Sequence, residues 1–451
     1  MRLSRSFCIG FVTVLCSLCA VQEASAAKAP TVAQELKRLA AEGAITAEDA
    51  AAHRALYIDA RSKVKRLTGA RRTELGGVVS DLEGMAARGS FQQPSRIPAL
   101  FLTLRRNVEY WSSQPLLSSG ARMSFPGSEL VFQYYVGHGL QIQWLGTFGK
   151  LNGYWSGGKR YDARAGALLD EALPLATERA GGLAWEYLFP FDGQSPPWVS
   201  SLAQGTGLQA MARTATRLQR QAEIFPIALR GLGIFQTAPP AGVRVESGNG
   251  AHYLQYSGLG RFFVLNGFIQ SLVGLYDFAQ LTGDATARAL FDAGDLAAKQ
   301  EVPTFDTGAW SLYSRGSIKK ESDLGYHKLL RDFLAQLCKR TAAEQYCSAN
   351  QHFTEYLTIP PVVEVLPRTL QPKKSGKLRF KLSKISRISV RITQGTKTIA
   401  LINPGVLYRG TKSLAWTAPK KTGAYGITVS ATDLAGNAAS ASGEVEVQKR
   451  P

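Results

Sequence analysis

The sequence predicts a multidomain, mainly α-helical protein that ends in a small β-sandwich. Three observations carry this expectation. The chain has 451 residues, 45% hydrophobic and 19% charged, which is length for roughly three domains and too apolar for a disordered polymer. Apolar residues recur at helical spacing as far as about residue 358, and beyond Pro360 and Pro361 the period falls to two.

Taken in chain order, the first element is a leader. Arg2 and Arg5 precede an apolar run over residues 7–21, followed by Ala24-Ser25-Ala26. That is the form of a cleaved signal peptide over residues 1–26, and the run is too short to span a bilayer. No later stretch is long and apolar enough to act as a transmembrane segment, so the mature protein is expected to be secreted or held in the periplasm or cell envelope. Cys8, Cys16 and Cys19 leave with the leader, and only Cys338 and Cys347 remain. Two thiols nine positions apart in an oxidising compartment predict a disulfide, and without a companion His or Cys at ligand spacing they predict no metal.

Residues 27–123 form the helical N-terminal segment. Leu36, Leu39, Leu56, Ile58 and Val64 keep helical spacing, with breaks at Gly43, Gly69 and Gly89. Residues 124–358 alternate helical patterns with loops rich in Gly, Pro and aromatic residues. Residues 198–218 place Trp198, Leu202, Leu208, Met211, Ala215 and Leu218 on one stripe, and residues 263–278 do so with Leu265, Phe268, Ile269, Leu272 and Leu275. Serial amphipathic helices of this kind suggest antiparallel hairpins that bury their apolar faces together.

Residues 361–449 form the sandwich. Leu378, Phe380 and Leu382 alternate with Lys377, Arg379 and Lys381, and Ile388, Val390 and Ile392 repeat the period. Turn signals follow at Gly395, Gly405, Gly410, Gly423 and Gly436, and the closing stretch resembles bacterial immunoglobulin-like modules.

Charge narrows the partners. The chain carries a formal net charge of +19, and residues 361–450 hold 16 Lys and Arg against 4 Asp and Glu. Outside the cytoplasm an acidic polysaccharide is the expected partner rather than nucleic acid, and the basic face of the sandwich reads either as a glycan-holding surface or as a solvated one. Oligomeric state is left open.

Familiar catalytic signatures are missing from the sequence. Gly205-Thr206-Gly207-Leu208-Gln209-Ala210 matches a dinucleotide fingerprint in form only, because it lies inside a helical stripe with no preceding strand. The five histidines show no zinc-ligand spacing, and there is no Gly-x-Ser-x-Gly elbow. What stands out is a set of tyrosines beside polar or basic residues: Gln255-Tyr256, Tyr313-Ser314-Arg315 and Tyr326-His327. A tyrosine shuttles protons readily only when a cation lowers its pKa from about 10, and Arg261, Arg315 and His327 are near in sequence.

Four blocks place these tyrosines in a known setting. PWVSSLAQGTGLQAMARTATRL (197–218), FVLNGFIQSLVGLYDF (263–278), FDTGAWSLYSRG (305–316) and GYHKLLRDFL (325–334) resemble, in the same order, the C-terminal catalytic domain of the D-glucuronyl C5-epimerase family. The resemblance spans roughly residues 124–358. It implies an α/α toroid of helical hairpins, inversion at carbon 5 of uronic acid units in a polysaccharide, and no cofactor. By position it implies catalytic roles for Tyr256, Tyr313 and Tyr326, with Arg315 near the family's arginine. One departure is Gln255, which stands where animal members carry a glutamate that acts as a base.

The chemistry shows what such residues would do. The carbon 5 proton is α to a carboxylate, so its removal builds a dianionic enediolate that needs positive charge or strong donors. Inversion also needs one proton-transfer group on each face of the sugar. Tyr256 and Tyr326 are expected on opposite faces, with Tyr313 and Arg315 on the carboxylate. Asn266, Asp306, His327 and Gln255 are expected to hold substrate or orient the tyrosines, although Asn266 at a helix start also reads as a cap. Two rival readings remain: a polysaccharide lyase that shares proton abstraction at carbon 5, and a non-catalytic acidic-glycan-binding protein.

Overall fold

The computed structural model describes residues 29–449, so the leader expected over residues 1–26 lies outside the described residues. Four helices come first: α1 (Val32–Ala41), α2 (Ala47–Arg66), α3 (Gly69–Ala87) and α4 (Ile97–Ser113). Thr31 opens α1 with a capping box to Gln34, Thr46 caps α2 through the Asp49 amide, and Pro98 sits in the first turn of α4. The expected breaks at Gly43 and Gly89 fall between these helices, Gly69 is the first residue of α3, and all three adopt the positive φ that favours glycine.

Helix ends at Ser113, ten residues earlier than the boundary expected from sequence. A three-stranded antiparallel sheet follows: β1 (Arg122–Met123), β2 (Phe132–Tyr135) and β3 (Gly139–Ile142). Strands of two to four residues are too short to print an alternating pattern on a sequence.

The next region is built from helical hairpins. α5 (Trp144–Gly157) pairs with α6 (Asp162–Ala172); after β4 (Thr177–Arg179) and β5 (Gly182–Ala184), α7 (Ser201–Leu218) pairs with α8 (Gln221–Arg230) and leads into the short α9 (Gly233–Gln236). The hairpin β6 (Arg244–Ser247) and β7 (Gly250–Tyr253) and the strand β8 (Phe262–Val264) introduce α10 (Leu265–Thr282) and α11 (Ala285–Glu301). β9 (Leu312–Gly316) and β10 (Lys320–Glu321) precede α12 (Leu324–Thr341) and α13 (Glu344–Glu355).

The first helix of each hairpin packs on the first helix of the next, so α5, α7, α10 and α12 form a continuous row. Glycines explain how closely α7 and α10 approach: a Cβ on Gly274 would collide with the Gly205 carbonyl, and one on Gly205 would press on Ser271. The fingerprint-like glycines of α7 are therefore a helix crossing. Asp277 of α10 ties the row together by pairing with Arg213 of α7 at 2.6 Å and Arg340 of α12 at 2.7 Å. Cys338 and Cys347 form a disulfide between α12 and α13.

Eight strands complete the chain: β11 (Val363–Leu366), β12 (Arg368–Leu370), β13 (Ser375–Leu382), β14 (Ser386–Gln394), β15 (Lys397–Leu407), β16 (Gly410–Thr417), β17 (Gly423–Asp433) and β18 (Ala438–Val447). They make a three-stranded sheet, β11-β13-β16, and a five-stranded sheet, β12-β18-β17-β14-β15. Leu378, Phe380 and Leu382 from the first and Ile388, Val390 and Ile392 from the second share one core with Trp416 and Tyr425, while Lys377, Arg379 and Lys381 face out. Period-two patterning thus yields the expected two-layer sandwich. Among the described residues no helix is long and apolar enough to cross a membrane.

Candidate active site

The three tyrosines arrive on three separate elements and meet in one cleft. Tyr256 follows β7 in a stretch held against the start of α7, where Ser257 donates its amide to the Val199 carbonyl at 3.0 Å and Leu254 accepts from the Ser201 amide. Its ring is buried among Phe191 and Trp198, each 5.6 Å away, and Phe262 at 6.0 Å. Tyr313 lies on β9, the middle strand of the sheet β10-β9-β8. Tyr326 stands in the first turn of α12, where the capping carboxylate of Asp323 accepts its amide at 2.8 Å. The Tyr313 and Tyr326 rings are 4.7 Å apart. All three line a cleft of about 620 Å³, together with Asp192, Lys320 and Asp323.

Burial dominates the electrostatics. It pushes the Tyr256 phenol far above its ordinary value, and the adjoining Tyr313 phenol adds to the rise. Burial raises Tyr313 to about 12, although the Tyr256 hydroxyl works against it. Tyr326 is raised by burial and by the Asp323 carboxylate, while Arg122 of β1 opposes the rise. In the free protein all three are therefore neutral phenols at pH 7, and each presents a hydroxyl able to donate.

Gln255 lies directly behind Tyr256 and donates its Nε2 to the Tyr256 hydroxyl at 2.8 Å. It is buried over the first turn of α10, where a Cβ on Gly267 would run into it. Because the Tyr256 oxygen accepts from the amide, its own proton is left to point elsewhere. Asn266, also at the start of α10, is buried with both side-chain polar atoms unpartnered, and it does not cap the helix.

The other expected site residues are placed away from the cleft lining. Arg315 turns its guanidinium to the Thr304 hydroxyl and over the Phe305 ring, 5.6 Å from its centroid. Asp306 accepts from the Tyr356 hydroxyl and the Gly308 amide and contacts His352, which fastens the loop before β9 to α13. His327 is fully buried, stacked on Trp310 at 3.7 Å, with Nε2 donating to the Phe353 carbonyl and Nδ1 accepting from Ser311. Burial pushes it down to about 4, so it is a neutral packing residue that supports α12. The cations expected beside the tyrosines from sequence are thus absent from the lining, where Lys320 stands instead, while Arg122, bonded to Gln133, acts on Tyr326 through its charge.

Sequence reasoning missed Asp192, Lys320 and Arg122. Asp192 sits at φ +47° in the turn between the bridged residues Phe191 and Gln194. Asp-Gly at residues 192–193 signals a turn, but nothing in the sequence says that the turn faces a cleft. Tyr135 of β2 packs its ring, tilted, on Phe189 at 4.3 Å and lies 6.2 Å from the lining residue Phe191, so the N-terminal sheet also borders this region. Among the described residues no group of three His, Cys, Asp or Glu side chains is placed to hold a metal ion.

The family described as D-glucuronyl C5-epimerase C-terminus matches residues 181–355, which include all three tyrosines. A D-glucuronyl C5-epimerase of Caenorhabditis elegans is 34% identical over 131 residues, 26% of this chain and 21% of that protein. An uncharacterized protein of Methanocaldococcus jannaschii is 26% identical over 179 residues, 38% of this chain and 58% of that protein. The chain thus spans about a fifth of the nematode enzyme and little more than half of the archaeal protein.

Proposed function

We propose that this protein, whose residues 181–355 match the family described as D-glucuronyl C5-epimerase C-terminus, is an exported isomerase that inverts carbon 5 of uronic acid units in an acidic polysaccharide. The observation that carries the reading is the convergence of Tyr256, Tyr313 and Tyr326 on one cleft from positions 70 residues apart in the chain. The helical hairpins are read as an α/α toroid around that cleft. The expected leader and the Cys338–Cys347 disulfide support an oxidising compartment outside the cytoplasm.

The proton-transfer roles follow from the two phenols' surroundings. Tyr326 is the more exposed, and Arg122 opposes the rise in its pKa, so its phenolate takes the carbon 5 proton. The C–H electron pair passes into the carboxylate as an enediolate. Tyr256, whose oxygen already accepts from Gln255, keeps its own proton available and delivers it to the opposite face of carbon 5. One C–H bond breaks and one forms, and proton exchange with solvent returns Tyr326 to phenolate and Tyr256 to phenol, so no co-reactant is consumed. Tyr313 and Lys320 are placed in the lining to meet the carboxylate as its charge grows.

The test is incubation of the mature protein with uronate polymers in heavy water. Deuterium at carbon 5 with mixed glucuronate and iduronate supports the epimerase. An unsaturated product absorbing in the ultraviolet means a lyase, and binding without either change means a glycan-binding protein.

A further inference from the structure

The cleft does not end at the helical body. Its wall residues Ile318, Lys320 and Glu321 are shared with a second hollow of about 580 Å³, whose far side is Tyr408, Arg409 and Gly410 of the sandwich. Tyr408 and Arg409 form the two-residue link from β15 to β16, so the strand-rich domain meets the cleft through the tip of one connection.

That connection is fixed in place. Glu321, 3% exposed, accepts the Arg409 amide at 2.7 Å and the Ile385 amide at 3.1 Å. The carboxylate at the end of the cleft wall is thus the anchor of the sandwich loop. Asn437 adds a bond from its side chain to the Leu357 carbonyl at 2.9 Å. Glu321 directs lone pairs to two backbone amides and is the one carboxylate among the residues that line the hollow. Lys319, Lys320 and Arg409 line it, and among the described residues none of the three has a carboxylate partner within ion-pair distance, whereas Lys381 and Lys384 of the same domain do. Tyr408, 45% exposed, adds a flat apolar face beside these cations.

We propose that the second hollow is an extended subsite, built jointly by the helical body and the sandwich, that holds the neighbouring sugars of the same acidic polysaccharide chain while one uronate sits among the tyrosines. The inference rests on the reading of the tyrosine cleft as a uronate site. The chemistry is ionic contact of carboxylate or sulfate groups with Lys319 and Arg409, and contact of a sugar face with Tyr408. Such contacts add affinity only when the chain is long enough to reach across the shared wall, and they weaken with salt.

The experiment measures binding of the full mature protein to hyaluronan and heparosan oligosaccharides of four and twelve sugars, by calorimetry at low and moderate salt. The native protein is expected to bind the longer chains of at least one polymer about tenfold more tightly than the shorter. Arg409→Ala combined with Tyr408→Ala should remove most of that length gain, and Arg409→Lys should keep much of it. Lys420→Ala with Lys421→Ala, which removes two positive charges, one more than Arg409→Ala, at the opposite end of the sandwich, should leave the length gain in place. Equal affinity for both lengths of both polymers, or the same loss from the remote lysine pair, overturns the proposal. Because binding is read rather than turnover, absence of carbon 5 exchange would count against the epimerase reading alone.

Discussion

Gln255 Nε2 donates to the Tyr256 hydroxyl across 2.8 Å, and both side chains are buried. The direction of that bond matters. A glutamate in the same place would accept the phenol proton, whereas the amide stabilises negative charge on the phenol oxygen and frees its proton for the cleft. In the proposed mechanism the cleft therefore divides labour between Tyr256 as donor and a separate base, in place of a carboxylate-backed tyrosine.

Gln255→Glu is expected to convert that donor into an acceptor. With the Tyr256 proton drawn back to the carboxylate, reprotonation at carbon 5 should slow while abstraction gains a second base. Deuterium would still enter carbon 5, but the ratio of inverted to retained product should shift by several-fold. Quantifying both epimers by proton NMR checks this, and an unchanged ratio would mean that Gln255 does not govern Tyr256.

Tyr326→Phe and Tyr256→Phe should each lower the rate of exchange by about 10²–10⁴-fold, the usual range for loss of a positioned proton-transfer group. Tyr326 is 40% exposed and its hydroxyl is not part of the core, so its variant should melt within a degree or two of the native protein. Full activity in both variants would remove the phenols from the mechanism.

The pH dependence follows from the direction of the shifts. Burial raises all three phenols, Tyr313 to about 12, so the basic form of Tyr326 is scarce at pH 7 and its fraction grows tenfold per pH unit below its pKa. Exchange should climb steadily from pH 6 to 9. A plateau from about pH 6 would identify a carboxylate, with Asp192 in the lining the first candidate, as the base. Stability sets the upper limit. Because the folded phenols hold their protons more tightly than unfolded ones, their contribution is complete below pH 10 and is lost as pH rises through the folded values.

Much of the architecture was legible because it is periodic. The alternation at Leu378, Phe380 and Leu382 needs only a half-buried strand to explain it, and the α7 and α10 stripes need only a buried helix face. The tyrosines were legible through resemblance, since no local rule distinguishes Tyr313 from any half-buried tyrosine. Arg315 looked equally well placed two residues along the same strand, yet its long side chain leads to Thr304. Asp192 and Lys320 were invisible for a different reason: they reach the lining through a turn and a two-residue strand, elements without a period. Arg409 is further still, on another domain, and its position depends on the Glu321 anchor.

The attachment of the sandwich provides the last expectation. Lys384 and Asp433 form an ion pair at 2.6 Å with side chains 1% and 0% exposed. The Lys384 ammonium also donates to the Tyr356 carbonyl at 2.9 Å and to that of Ile359, so one cation stabilises the sandwich and fastens it to the end of α13. Burial alone would raise Asp433, but Lys384 and Asn437 outweigh it and hold the carboxyl below its usual range. Its contribution is therefore present above the unfolded pKa of about 4 and is lost as pH falls through the folded value. Lys384→Met should leave a buried, unpaired carboxylate and cost about 3–5 kcal/mol near pH 7. The difference from the native protein should shrink below pH 4, where protonation removes the stranded charge. Adding Asp433→Leu should recover most of the loss, because removing both charges avoids the penalty that removing one creates. Denaturant melts of the three proteins at pH 7 and pH 3.5 decide it: a Lys384→Met penalty that stays the same at both pH values would show that the cation acts through its carbonyl contacts with the helical body and not through Asp433.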